Sequence, residues 1–363
     1  MSKIAICSDI HFHSNRGATK QIAEDEIFDV FNQIVNYCVK NNIDYLYVLG
    51  DLFHIRGKIT VSIFNRVYDL FREITSKGIK IGLLSGNHDQ VFSEDEKTTS
   101  IYSLQEITGV TLINWKNFQH GKCNFVGIPY VNTKKEFSDS LEKMKPYLKE
   151  DMINVLFTHG VVSGAMIGSG YSFSKSTGVD SGLGMYSRMC VGHIHIPQLL
   201  FDNRVVITGS PLTHTKKDLA FPQLKDSSTN NKRGFWIMNT ETGGIELIPT
   251  EHTRFLKYNI GSKQELESIL SNWNSRDFLF LTVNAEDVNN EDHLVKQFTN
   301  EKIDWDFVKP PKTNEIRLSV EIGTSEEKII EKFIDLKCEG FDKELLMRMS
   351  ADLLEEYDLM EKK

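Results

Sequence analysis

No apolar run in this 363-residue chain approaches the roughly 20 residues of a membrane-spanning helix, so no such span is expected. Its five cysteines (Cys7, Cys38, Cys123, Cys190, Cys338) are scattered, odd in number and without a C-x-x-C pair. That excludes a disulfide framework and fits reduced thiols. The opening Met1-Ser2-Lys3-Ile4-Ala5-Ile6-Cys7 enters a strand-like run without the apolar core or cleavage site of a signal peptide, and a cytoplasmic location is expected. Internal repeats and low-complexity tracts are missing as well. There is no excess of positive charge either: 42 Lys and Arg face 50 Asp and Glu, a net of −8. The deficit is uneven. Residues 1–250 hold 26 basic and 25 acidic side chains, whereas 251–363 hold 16 and 25. The acidity thus lies in the C-terminal third.

Forty per cent hydrophobic and 25% charged residues suffice for a sizeable core, and the length suits two domains with an appendage. Runs at 3–8, 44–49 and 79–84 read as strands. Between the first two, Ile27, Val30, Phe31, Ile34, Val35 and Cys38 fall at helical spacing. A second amphipathic stretch covers about 60–77. This β-α-β-α-β order predicts a sheet that begins parallel. Further strands are expected at 123–128, 153–158, 186–191 and 204–208, with a hairpin of 234–238 and 244–248 turning through Thr242-Gly243-Gly244. Residues 161–185 and 216–232 read as long connections. From 252 to 322 the rhythm changes to strand 255–260, helix 263–274, strand 278–283, helix 290–299, and strands 303–308 and 315–321. The organisation is therefore 1–250, a small α+β domain at 251–323, and a helical pair at 324–363. Thr324 with Glu327 resembles a capping box ahead of Ile329, Ile330, Phe333 and Ile334, and a second helix begins near Lys343.

Five polar clusters each follow a strand-like run: Asp9-Ile10-His11, Gly50-Asp51-Leu52-Phe53-His54, Gly86-Asn87-His88-Asp89, Thr158-His159-Gly160 and Gly192-His193-Ile194-His195. Open α/β sheets place their chemistry just past such strand ends. Carboxylates, a carboxamide and imidazoles in this mixture suit a pair of divalent cations about 3.5–4 Å apart that share a bridging carboxylate. Any one cluster is uninformative; five in order are not.

The clusters resemble the signature of the calcineurin-like metallophosphoesterases. The resemblance implies an α/β fold with a two-sheet sandwich core. It also implies one metal on Asp9, His11, Asp51 and His195, a second on Asp51, Asn87, His159 and His193, and a metal-bridging hydroxide as nucleophile. His88 would face the scissile phosphate, and Asp89 would orient it. Phosphatases of this fold carry Gly-Asp-x-x-Asp-Arg-Gly in the second motif and Arg before Gly-Asn-His-Glu. Here His54 and Ser85 stand instead. Gly50-Asp51-Leu52-Phe53-His54 resembles the SbcD/Mre-type double-strand-break repair nucleases, in which the histidine at this position acts beside the one at His88 in exonucleolytic cleavage. Thr208-Gly209-Ser210-Pro211 and Lys232-Arg233-Gly234-Phe235 agree, as does the domain order, and the compact chain resembles versions encoded by bacteriophages.

The resemblance therefore implies a two-Mn²⁺ enzyme (Mg²⁺ or another divalent ion being the alternative) that cuts DNA as exo- or endonuclease. It further implies repair or recombination work, a homodimer within a heterotetramer, and no membrane partner. The competing readings are a phosphomonoesterase, a cyclic-nucleotide phosphodiesterase, or an inactive scaffold for an ATPase. DNA affinity should rest on phosphate contacts, for which Arg16, Lys20, Arg56 and Lys58 flank the motifs; Tyr171 and Phe173 are candidates for base stacking. In relatives a C-terminal helical pair binds the coiled-coil base of an SbcC/Rad-type ATPase, and 324–363 is expected to do so here, docking onto its own domain being the alternative. His13, His120, His214, His252 and His293 are expected in ordinary surface or core roles, with a DNA contact also open to His13.

Overall fold

The computed structural model of the protein describes residues 3–14, 23–55, 58–90, 98–166, 172, 178–215, 218, 232–284, 300, 302–308 and 326–337, with 343, 346, 347 and 350. Strands β1 (Lys3–Cys7), β2 (Tyr45–Leu49), β3 (Lys80–Leu84) and β4 (Val110–Leu112) pair in parallel. On the other side of β1, β11 (Gly234–Asn239) runs antiparallel and continues into β12 (Ile245–Pro249). This first sheet has the order β12-β11-β1-β2-β3-β4. A second six-stranded sheet holds β5 (Asn117–His120), β6 (Cys123–Ile128), β7 (Ile153–His159), β8 (Arg188–Gly192), β9 (Gln198–Leu200) and β10 (Val205–Ile207), in the order β5-β6-β7-β8-β10-β9.

The layering follows from the period of two along each strand. In β1, Ile4 and Ile6 pack between the sheets with Phe125, Phe157 and Trp236. The intervening Ala5 and Cys7 face the helices α1 (Glu24–Lys40) and α2 (Val61–Ser76). Helix α1 buries Ile27, Val30, Phe31, Ile34, Val35 and Cys38, the stripe legible in the sequence. Over the outer face of the second sheet lies α3 (Lys134–Met144), burying Phe137, Leu141 and Met144. No sequence expectation covered α3. Its apolar positions are few, and its start is fixed by a capping box in which Thr133 accepts the Glu136 N–H. The stretch read as a long connection likewise ends in a 3-10 helix, Val179–Gly184, anchored by buried Val179.

A third sheet of β13 (Phe255–Ile260), β14 (Phe278–Asn284) and β15 (Ile303–Val308) is wholly parallel, with α4 (Lys263–Ser271) between its first two strands. Phe255 belongs to the same buried cluster as α1 and α2. Glu26 of α1 accepts hydrogen bonds from Thr253 Oγ1 at 2.8 Å and Arg276 Nη2 at 3.0 Å. Helix α5 (Glu326–Lys337) buries Ile334 and leaves Phe333 51% exposed. The expected elements at 290–299 and 315–321, Thr324 of the expected capping box, and most of the second tail helix lie outside the described residues. Among the described residues no helix is long and apolar enough to cross a membrane.

Parallel register decides where the chemistry can gather. Leu49 pairs with Leu84 across β2 and β3, and His159 pairs with Gly192 across β7 and β8. The loops leaving β1, β2 and β3 therefore meet those leaving β7 and β8 at one end of the sandwich.

Candidate metal centre

The loops are bent sharply. Asp9, His11, Asp51 and His193 all have positive φ, at 54°, 51°, 53° and 96°, a region that L-residues occupy only when the surroundings enforce it. Hydrogen bonds supply the enforcement: Asp9 N–H to Gly50 O (3.0 Å), His11 N–H to Asp51 O (3.0 Å) and Phe12 N–H to Leu52 O (2.8 Å). The first two clusters are thus zipped together by backbone. Gly50 has φ +91°, and a Cβ there would stand 2.2 Å from His159 Nδ1.

The seven side chains expected to ligate metals converge as two facing groups. Asp9, His11 and His195 form one, Asp51, His159 and His193 the other, with the donor atoms in each within 4.8 Å of one another. Asn87 Oδ1 lies 3.0 Å from both His159 Nε2 and His193 Nδ1. Asp51 sits between the groups, its Oδ2 3.7 Å from His11 Nε2 and 3.5 Å from His159 Nε2. His195 Nε2 faces His11 Nε2 at 3.2 Å.

The donor chemistry fits cations. His159 donates its Nδ1–H to the Leu49 carbonyl at 2.9 Å, so in its neutral form the ring would present a bare Nε2 toward two further acceptors, Asp51 Oδ2 and Asn87 Oδ1. Likewise His195 directs Nδ1–H to Asp218 Oδ1 at 3.0 Å and turns a bare Nε2 inward. Lone pairs aimed at one another in a dry pocket require positive charge between them. Burial works against protonating His159, yet Asp51 outweighs it and lifts the imidazole to about 9. Burial likewise opposes Asp51 ionisation, but His159 and His11 hold that carboxyl well below its usual range. A proton stands where a metal would supply the same charge. His193, with burial dominant and His159 beside it, is pushed down to about 3, the neutral state in which imidazole ligates.

His54 and His88 sit at the rim with their rings stacked at 5.8 Å, and each is within 5.3 Å of the His11 ring centroid. Burial, then His13 and His88, lower His54 to about 4. His88 N–H donates to Asp51 Oδ1 at 2.8 Å, and its Nδ1–H donates to the His54 carbonyl at 2.6 Å. The partner expected for that ring was Asp89, and this needs correction. The Asp89 carboxylate is buried beneath the loops and accepts the N–H groups of Leu52 (3.1 Å), Phe53 (3.3 Å) and Gly86 (3.0 Å). Three otherwise unpaired amides claim it, and the His54 carbonyl orients His88 instead.

A match to the family model for calcineurin-like phosphoesterases spans residues 2–207, more than half of the chain and all five clusters. The chain belongs to the calcineurin-like phosphoesterases. In this family the site holds two divalent metals, and the two His/Asp groups provide places for them. Curated relatives within reach include exonuclease subunit 1 of Enterobacteria phage T4, 24% identical over 243 residues (62% of this chain, 61% of the relative). The DNA double-strand break repair protein Mre11 of Sulfurisphaera tokodaii is 26% identical over 223 residues (58% and 54%). That of Saccharolobus solfataricus is 25% identical over 221 (58% and 55%). The chain spans between half and two thirds of the length of these relatives.

Sequence reasoning missed Asp218 and His214 as parts of this phosphoesterase site. Asp218 was taken for part of an exposed connection. It is buried, and besides His195 it accepts the His214 N–H at 3.0 Å and lies 3.6 Å from Arg233 Nη2. His214 packs 5.1 Å from the His11 ring and donates Nε2–H toward the Asp9 carbonyl at 3.1 Å. The available signal was Thr208-Gly209-Ser210-Pro211, which ends three residues before His214. Ser8, beside Asp9, bonds Thr208 Oγ1 at 2.6 Å. His13 is half-buried, 5.5 Å from the His54 ring. Lys58 is exposed, whereas Arg16, Lys20, Arg56, Tyr171, Phe173 and His293 lie outside the described residues.

Proposed function

We infer that this chain is a metal-dependent DNA nuclease, the phosphodiesterase subunit of an SbcD/Mre-type repair or recombination complex. The observation that carries the reading is the pair of His54 and His88 at the rim, stacked on each other and edge-on to His11. Where phosphatases of this fold place Asp-Arg, this chain offers a second imidazole. The names of its relatives, an exonuclease subunit and double-strand-break repair proteins, support the same substrate.

When bound, two divalent ions (Mn²⁺ by the family resemblance, with Mg²⁺ or another divalent ion the alternative) would polarise the phosphate and lower the pKa of water. Asp9, His11, Asp51 and His195 would hold one ion, and Asp51, Asn87, His159 and His193 the other. The residues around them do the rest. His88, its Nδ1–H fixed on the His54 carbonyl, would use its other nitrogen against the scissile phosphate, as the acid that protonates the leaving oxygen or as a hydrogen-bond donor to the charge that develops on the phosphate. His54, kept neutral by burial, completes the wall on which the leaving strand end sits. Asp89 keeps the loops after β2 and β3 rigid from below. Arg16, Lys20, Arg56 and Lys58 supply phosphate contacts, and residues 324–363 dock on a coiled-coil ATPase.

The test compares the intact protein with His54→Ala and His88→Ser variants, in Mn²⁺, on end-labelled linear DNA and on a phosphomonoester. Loss of one positioned proton-transfer group should slow DNA cleavage by about 10²–10⁴-fold, with bound metal unchanged. Monoester turnover without DNA cleavage, or inactivity on both even with the ATPase present, would sink the reading.

A further inference from the structure

At the far end of the same strands from the metal centre, the two sheets part at their edges around a cleft of about 350 Å³. Tyr45 and Tyr47 of β2, Gly82 of β3, Thr111 of β4, and Phe118 and His120 of β5 form its walls. The aromatic rings are mutually ordered. Tyr47 stacks on Phe118 with centroids 5.1 Å apart, and His120 lies 4.1 Å from Tyr45. Gly82 makes this possible, since a Cβ there would stand 2.3 Å from the Tyr47 ring. The position is built for an aromatic face, not for filled apolar packing.

The polar groups are equally specific. Tyr47 Oη lies 2.6 Å from His120 Nε2. Burial and then Lys80 depress His120, so its ring is neutral and shares one hydrogen with the Tyr47 hydroxyl. Its Nδ1 meets no hydrogen-bond partner among the described residues. Two cations also line the cleft, Lys80 and Lys116. Lys80 Nζ lies 5.3 Å from the Tyr45 ring and 3.4 Å from its hydroxyl. Neither ammonium meets a carboxylate among the described residues, and no Asp or Glu lines the cleft. An aromatic wall, the outer nitrogen of His120 and two unneutralised cations select a flat π-system bearing negative charge. The volume lies at the lower end of the roughly 300–1,000 Å³ of small-molecule sites, which limits the ligand to one or two fused rings.

We propose that this cleft binds a planar aromatic anion. A mononucleotide and an aromatic carboxylate share that chemistry, and calorimetric titration of the intact protein in the presence of EDTA, which strips the metal centre of the ions that would also take up a phosphate, separates them. The probes are deoxyadenosine 5′-monophosphate and 2-naphthoate, with 2-naphthalenemethanol as the uncharged control. Three variants are compared. Thr111→Trp fills the mouth from an exposed edge-strand position, Lys80→Gln/Lys116→Gln removes the charge, and His88→Ser alters only the metal-centre rim. Thermal melts establish that each is folded.

The expected result is one saturable site, absent in Thr111→Trp, weakened about ten-fold by loss of the two lysines, and indifferent to His88→Ser. The alcohol should bind about ten-fold more weakly than the naphthoate. Nucleotide binding that meets these criteria assigns a nucleotide, and naphthoate binding alone assigns a carboxylate. Absence of saturable binding for both anions, binding that survives Thr111→Trp, or equal affinity for the alcohol would overturn the proposal. Because His88→Ser spares this cleft and Thr111→Trp spares the metal centre, the outcome is independent of the nuclease reading.

Discussion

His195 reaches the metal centre with its Nε2 bare because Asp218 holds its Nδ1–H at 3.0 Å. Burial opposes ionisation of Asp218, but His195 and Arg233 keep its carboxyl well below the ordinary range, so the charge is present at any working pH. A carboxylate behind a ligand imidazole fixes its tautomer and raises its basicity. Asp218→Asn should therefore weaken one of two Mn²⁺ equivalents by about 10–100-fold, read by calorimetry, while the equivalent on the His159 and His193 side binds as before. Equal loss at both positions would show that Asp218 acts on the fold and not on His195. Nothing local in the sequence distinguishes this aspartate. It lies in a polar stretch, and only the return of the chain past Ser210 carries it under His195. The same holds for Asp89, whose neighbour in sequence is His88 but whose partners in space are three amides of other loops.

At the scale of the elements, the centre depends on how tightly the loops after β2 and β3 approach. A Cβ on Gly86 would stand 2.2 Å from Asp51 Oδ1 and 2.4 Å from Asp51 N, and a backbone atom cannot give way as a side-chain tip can. Gly86→Ala should destabilise the protein by about 1–3 kcal/mol through overpacking, measured as a lower denaturation midpoint at unchanged slope. Unaltered stability would mean that the loops are less closely locked than the Leu52, Phe53 and Gly86 amides gathered on Asp89 imply. Most elements that carry the site were legible: an apolar run ended by Asp, Asn or His marks strand and loop together. The short strands β4, β5 and β9 were not, because three or four residues give periodicity too little to repeat, and helix α3 was not, because its apolar positions are few.

For the whole molecule the governing fact is the division of charge, near neutral over 1–250 and acidic over 251–363. A catalytic unit of this kind holds a polyanion weakly by itself, and two bound cations per site add only local attraction. The proposed remedy is a partner gripped by the tail. Within α5, Phe333 is 51% exposed beside buried Ile334, and Glu331 and Asp335 tie to Lys343 at 3.1 and 2.9 Å. Deleting 325–363 should abolish co-purification with an SbcC/Rad-type ATPase while leaving Mn²⁺-dependent cleavage of DNA intact. Persistence of the complex would place its contact elsewhere.

The sequence by itself determined the strand-then-cluster order, and with it a parallel α/β core whose ligands gather at one end. Both are local properties: an alternating or continuous apolar run makes a strand, and its polar stop makes a loop. Tertiary structure alone decided which atoms meet. Asp89 turns away from His88, Asp218 and His214 arrive from a distant segment, and Tyr45, Tyr47, Phe118 and His120 close around the far cleft. Those pairings depend on how two sheets stack and where loops double back, and such distances are set by packing across hundreds of residues rather than by neighbours along the chain.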